Sequence, residues 1–142
     1  MIGLDCNILV QLAMADHAAN GQTVTAVEAE TQKGEKLVIP PFVVAEFLHV
    51  TTDARRFTPP LTMVEAIDWI EEFLKNPSVR VLEPSQASLD QTLRWMRQFT
   101  LGRKRILDTQ LAATLQCSGV RRLLTSNPDD FAVFGALETV TP

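Results

Sequence analysis

Short apolar runs alternate with longer stretches of helical period along the chain. Met1 to Asp5 opens on an apolar run and Leu37-Val38-Ile39 is a second. Val79 to Leu82, Leu123-Leu124-Thr125 and Leu137 to Val140 read as three further strands. Between them, a helix begins near Ile8, with Asp5 or Asn7 available to cap it. Pro40-Pro41 precedes a helix over Phe42 to Val50, and Pro41 suits a first helical position because the N–H it lacks would have no partner there. A helix from about Leu61 to Leu74 places Val64, Ile67, Ile70 and Leu74 on one side. Ser85 or Ser88 caps a helix that runs to Phe99, and Arg105 to Cys117 forms another, closed by Gly119 where a left-handed cap is favoured.

Short strands alternating with helices of ten or more residues imply βαβ units, a parallel sheet and right-handed crossovers. The expected class is α/β, doubly wound, as one domain over residues 1–142, since no repeat, low-complexity tract or long linker interrupts the pattern. In such a sheet the ligand site lies outside the carboxyl ends of the strands, where strand order reverses.

Composition narrows the class. The 142 residues are 46% hydrophobic and 21% charged, which excludes disorder, collagen and a disulfide scaffold. Cys6 and Cys117 belong to no CxxC and no histidine pair, which argues against a zinc knuckle and a secreted disulfide framework. The amino terminus lacks the basic lead of a signal peptide, and no window reaches the ~18 apolar residues of a membrane span. The expectation is a soluble protein of the reducing cytoplasm, with no membrane partner. The net charge of −4 conceals a split: residues 1–72 hold 11 acids and 4 bases, residues 73–142 hold 6 acids and 9 bases.

Most acids read as solvated, Glu28, Glu30, Glu71 and Glu72 among them. Three do not. Asp5 closes the first apolar strand, Glu46 has Phe42, Val43 and Val50 as helical neighbours, and Asp108 shares its face with Leu111, Ala112 and Leu115. Asp5 could serve as a cap and Asp108 as a helix N-terminal acid, but a mid-helix Glu46 has no capping task. Carboxylates in apolar settings shift their pKa, pair with a cation or hold a metal. A fourth candidate comes from Thr125-Ser-Asn-Pro-Asp-Asp-Phe131, where Asp130 is preferred, while Asn127-Pro128 and Asp129 read equally as turn chemistry. Such all-oxygen sets favour Mg2+ or Mn2+ over zinc.

Asp5 with Asn7 after the first strand, Glu46 in a Pro-started helix, Asp108 in Asp-Thr-Gln-Leu-Ala-Ala-Thr, and the Thr125 to Phe131 segment together resemble a PIN domain, specifically a VapC-type toxin ribonuclease, over essentially the whole chain. The resemblance implies a three-layer fold with a parallel sheet of about five strands. It implies Asp5, Glu46 and Asp108 as metal ligands and catalytic residues, completed by Asp130 or Asn127, with Asn7, Thr109 and Asn127 as hydrogen-bonding support. It further implies metal-dependent endonucleolytic cleavage of structured RNA such as tRNA or rRNA, a cognate antitoxin protein and a homodimer. Cys6 departs from the family's frequent Ser or Thr, and Asn127 stands where many members have an acid.

Arg94, Arg97, Arg103, Lys104 and Arg105 form an acid-free cluster, a candidate rim for RNA phosphates or else a solvated face. Trp69 and Trp95 fall in amphipathic helices as core residues, so no base-stacking platform is expected. His17 and His49 read as structural, and Thr109 and Ser126 as hydrogen-bonding support. Two rivals fit less well. A haloacid-dehalogenase-like phosphatase needs a second acid where Asn7 stands, and a phosphorelay receiver needs paired acids after the first strand and a lysine after the last. A PIN-like module that only binds partners is the third, which intact Asp5, Glu46 and Asp108 argue against.

Overall fold

The computed structural model describes residues 1–142. Five strands, β1 (Ile2–Leu4), β2 (Leu37–Ile39), β3 (Val79–Val81), β4 (Arg122–Leu124) and β5 (Glu138–Val140), form one sheet in the order β3-β2-β1-β4-β5. Every neighbouring pair is parallel, with Ile2 opposite Leu37 on one side and opposite Arg122 on the other. The chain therefore winds outward from β1 through β2 to β3, then returns to place β4 on the opposite flank of β1. The α/β class, the parallel sheet and the five strands agree with the sequence pattern.

Seven helices flank the sheet: α1 (Cys6–Ala13), α2 (Asn20–Gln32), α3 (Pro41–Thr51), α4 (Met63–Leu74), α5 (Gln86–Gln98), α6 (Ile106–Cys117) and α7 (Pro128–Ala132). Helix α1 packs on α2 and α3, α3 on α4, α5 on α6, and α6 on α7. None is long and apolar enough to cross a membrane. The core runs through β1, β2 and β4, whose apolar side chains are fully buried together with Ile8, Leu9, Phe47 and Leu115. Gly3 lets α6 lie close on β1, since a Cβ there would come within 2.5 Å of Leu115 Cδ1. Gly119, at φ +74°, turns the chain out of α6 as its sequence position suggests. Thr62 with Glu65, and Ser85 with Ser88, form reciprocal capping boxes at α4 and α5.

Four sequence expectations need correction. Helix α2 has no counterpart among the predicted elements. Helix α4 buries Ala66 and Ile70, with Trp69 and Phe73 packed beside them, and leaves Val64 66% exposed and Ile67 at the surface. Trp69 stacks on Phe73 at 5.2 Å and meets Phe47 at 5.1 Å, so the aromatic stripe, with its larger area, won the inward face. Residues 128–132 form a short helix opened by Pro128 rather than a loop. Glu30 is not solvated: its side chain is 4% exposed and accepts two bonds from Arg122, at 2.6 and 3.1 Å, and one from Lys33 at 2.8 Å.

Candidate active site

Strand order reverses at β1, so the crevice between the carboxyl ends of β1 and β4 is the switch point of the sheet. Asp5 follows β1 and Thr125 follows β4, and the Asp5 N–H donates to the carbonyl of Leu124 at 3.1 Å. Asp5 holds the N-cap position of α1, yet its carboxylate makes no capping bond. Its Oδ2 instead accepts from Thr125 Oγ1 at 2.6 Å and from Asn7 Nδ2 at 2.8 Å. Asn7 Oδ1 in turn accepts the Ser126 N–H at 3.2 Å, and Thr125 Oγ1 accepts the Asn127 N–H at 3.0 Å. Gln11 braces the far side, its Nε2 donating to Ser126 Oγ at 2.9 Å while Thr23 Oγ1 donates to its Oε1 at 2.7 Å. The loop after β4 is thus stitched to the start of α1 by side chains, and Asp5 is fixed in the middle.

A cleft of about 270 Å3 opens over this network. Asp5 after β1, Glu46 on α3 and Asp108 on α6 all line it, with Cys6, Asn127, His17 and Arg56 on its walls. Asp5 is 8% exposed, and burial, with Asp108 adding repulsion, lifts its carboxyl to about 6. Burial followed by the charges of Asp5 and Asp108 lifts Glu46 to about 7. Burial also raises Asp108, opposed by Arg105. Burial drives the Cys6 thiol far above its ordinary range, with Glu46 and Asp5 adding to it, so this sulfur stays a neutral thiol. Three mutually repelling carboxylates that share one pocket form a seat for positive charge.

As the side chains stand, no three His, Cys, Asp or Glu groups close into a ready-made cage. Asp108 Oδ2 accepts from Arg105 Nε at 3.1 Å, and the same guanidinium reaches Asp130, by a bond to its carbonyl oxygen and by a 3.6 Å contact to its Oδ1. Asp130 does not line the cleft; its side chain is 46% exposed and faces Arg105. Asn127 does line it, at the N-cap of α7 with no capping bond of its own, so of the two alternatives the sequence left open it is Asn127 that stands beside the three acids, and the preferred Asp130 faces Arg105. The reason is local: Pro128 starts a helix, and Asp129 and Asp130 fall in its first turn.

The remaining candidates divide. Asn7 supports Asp5 directly, whereas Thr109 is buried and donates to the carbonyl of Arg105 at 2.6 Å, closing the turn into α6 instead of touching a cleft acid. Arg94 and Arg97 are exposed on α5, Arg103 and Lys104 are exposed in the 3-10 turn Arg103–Arg105, and Arg105 is taken by Asp108 and Asp130. His17 lines the cleft, but the Ala19 N–H donates to its Nδ1 at 3.1 Å, so the ring proton of the neutral side chain sits on Nε2 and neither nitrogen is free to act as a base. Thr125 and Arg56 escaped the sequence reading. Thr125 could have been found from its place directly after β4; nothing in the sequence marks Arg56.

The PIN domain family model matches residues 2–137. The fold is similar to VapBC2 from Rickettsia felis, a structure bound to a DNA fragment from its promoter, with a TM-score of 0.72 and 17% identity over 100% of this chain and 99% of that one. It is similar to VapC20 of Mycobacterium tuberculosis, a toxin that cleaves the sarcin-ricin loop, with a TM-score of 0.72 and 16% identity over 97% of this chain and 98% of that one. A toxin-antitoxin complex from Klebsiella pneumoniae gives 0.66 and 18% over 100% and 98%. No curated protein sequence matches the chain.

Proposed function

Because the chain belongs to the PIN domain family, we propose that it is a divalent-cation-dependent endoribonuclease, the toxin of a VapBC-type toxin-antitoxin pair, acting on structured RNA such as tRNA or rRNA. The observation that carries this reading is the convergence of Asp5, Glu46 and Asp108 on one cleft at the switch point, where Asp108 raises Asp5 and both raise Glu46.

The donor set fits a hard cation such as Mg2+ or Mn2+: carboxylate oxygens, with the side-chain amide of Asn127 beside them and the only sulfur held as a thiol. Mg2+ keeps several waters and needs only one or two carboxylates besides substrate phosphate, so a closed protein cage is not required. When bound, such an ion lowers the pKa of its water and draws charge from the phosphate oxygens. Asp5, Glu46 and Asp108 would hold it. Thr125 and Asn7 donate to Oδ2 of Asp5, which favours its ionised form and fixes its direction, and Arg105 balances the charge of Asp108. Asn7 spends its amide on Asp5 and Thr125, which leaves it no part in a phosphatase's acid pair.

The similarity to toxin-antitoxin structures supports an antitoxin protein as partner. Met63, Val64 and Ile67 on α4 and Leu89 and Leu93 on α5 leave apolar area for a homodimer. The deciding experiment incubates the purified chain with total tRNA and rRNA. Cleavage in Mg2+ or Mn2+, none in EDTA, and a loss of at least about a hundredfold in Asp108→Asn, roughly 3 kcal/mol of transition-state stabilisation, are expected. Equal cleavage with and without chelator would sink the metal-dependent reading.

A further inference from the structure

Arg56 is the one arginine that lines the cleft, and it hydrogen-bonds to no carboxylate. Two consecutive arginines follow α3, and the turn treats them differently. Asp53 accepts the Arg55 N–H at 2.9 Å and grips the Arg55 side chain with both oxygens, at 3.0 and 3.0 Å. The carbonyl of Asp53 accepts the N–H groups of Arg56 and Phe57 at 2.9 and 3.2 Å, which sets the backbone of the turn. With Asp53 saturated, Arg56 Nε stays 3.9 Å away, too far for a hydrogen bond, and its side chain is 59% exposed on the cleft wall. The charge of Arg56 is felt by Glu46 and by Cys6, so the guanidinium stands over the acids without pairing to them.

The cleft is lined by no other arginine or lysine. Asn7 and Gln11 are tied into the network beneath Asp5, and the remaining nearby arginine, Arg105, is held by Asp108 and Asp130. An anionic substrate entering a cleft of three carboxylates needs a fixed cation that those carboxylates have not neutralised. A planar fork of N–H donors suits the two free oxygens of a phosphodiester. We propose that Arg56 is the substrate-binding residue that takes the phosphate of RNA beside the acid cluster. This rests on the nuclease reading and adds to it a contact from the turn after α3, remote in sequence from the basic cluster at residues 94–105.

The test measures binding and cleavage separately on the full chain. Binding of fluorescently labelled tRNA is followed by anisotropy in EDTA over a range of salt, and cleavage in Mn2+ is timed with the same preparations. Arg56→Ala is expected to weaken binding and lower kcat/KM by roughly ten- to a hundredfold, and to reduce the slope of log K against log salt by about one. Arg56→Lys, which keeps the charge and loses the fork, recovers part of the loss. Arg121→Ala, an exposed arginine at the amino edge of β4, removes the same charge far from the cleft and leaves both readouts unchanged. Should Arg56→Ala fail to fold, Arg56→Gln gives the same comparison. A wild-type chain that cuts RNA with an equally active and equally binding Arg56→Ala overturns this inference alone. A wild-type chain that leaves RNA uncut overturns the nuclease reading and this one with it.

Discussion

Asp5 shows how one side chain trades stability for chemistry. Its carboxyl titrates at about 6 in the folded protein against an ordinary 3.8, and Glu46 at about 7 against 4.5. Between about pH 4 and 7 the native state therefore holds protons that the unfolded chain has released. In the absence of a divalent ion, stability falls as pH rises through that window. Asp5→Asn keeps an oxygen for Thr125 and Asn7 and removes the charge. Thermal unfolding at pH 7.5 in EDTA should show this variant more stable by about 2 to 3 kcal/mol, with the difference gone by pH 4. Mn2+ should raise the Tm of the wild type and not of Asp5→Asn, because an ion that binds only the folded cleft stabilises by mass action. If Asp5→Asn melts below the wild type at pH 7.5, the buried charge of Asp5 is not what costs the fold stability. Asp5 and Glu46 stood out in sequence because each sits where its neighbours are apolar. Asn127 against Asp130 could not be resolved there, since the choice depends on the direction in which Pro128 launches a five-residue helix.

Among the elements, α2 was invisible for a physical reason. Its inward face carries Thr23 and Glu30, which bond to Gln11 and Arg122, so it packs through polar pairs and lacks the apolar stripe that periodicity detects. The Glu30–Arg122 pair ties α2 to β4 and holds the Glu30 carboxyl at about 2, below the usual carboxylate range, chiefly through the Arg122 bonds. A depressed acid contributes stability above its unfolded pKa and loses it as pH falls towards the folded value, here from about 4.5 to about 2. Glu30→Ala leaves the half-buried Arg122 with weaker partners and should cost about 2 kcal/mol at pH 7, measured by urea unfolding, and much less at pH 2.5. An equal cost at both pH values would mean that packing, not the ion pair, supplies the stability. Helix α4 failed differently: two stripes of helical period compete in its sequence, and only the presence of Phe47 on α3 decides for Trp69 and Phe73.

Across the whole molecule, the charge split acquires a geometry. Residues 1–72 contribute Asp5, Glu46 and Arg56 to the cleft, while residues 73–142 contribute Asp108 and Asn127 and carry the exposed bases of α5 and the following turn. Counterion release links that surface to RNA. Replacing Arg94, Arg97 and Arg103 by alanine together should lower the salt slope of RNA binding by about two to three, against about one for Arg56 alone. An unchanged slope would return those arginines to a solvated role.

The sequence by itself determined the alternation of strands and helices, the parallel sheet, and the three carboxylates placed against their hydrophobic surroundings, because local period and polarity are written residue by residue. Tertiary structure decided which stripe of α4 turns inward, that Glu30 is buried against Arg122, that Asn127 enters the cleft while Asp130 meets Arg105, and that Arg56 lines the cleft with only a 3.9 Å approach to Asp53. The first two depend on partners far apart in the chain, Phe47 for α4 and Arg122 for Glu30, and the last two on short turns whose side chains gain a role only where the fold carries them to the cleft.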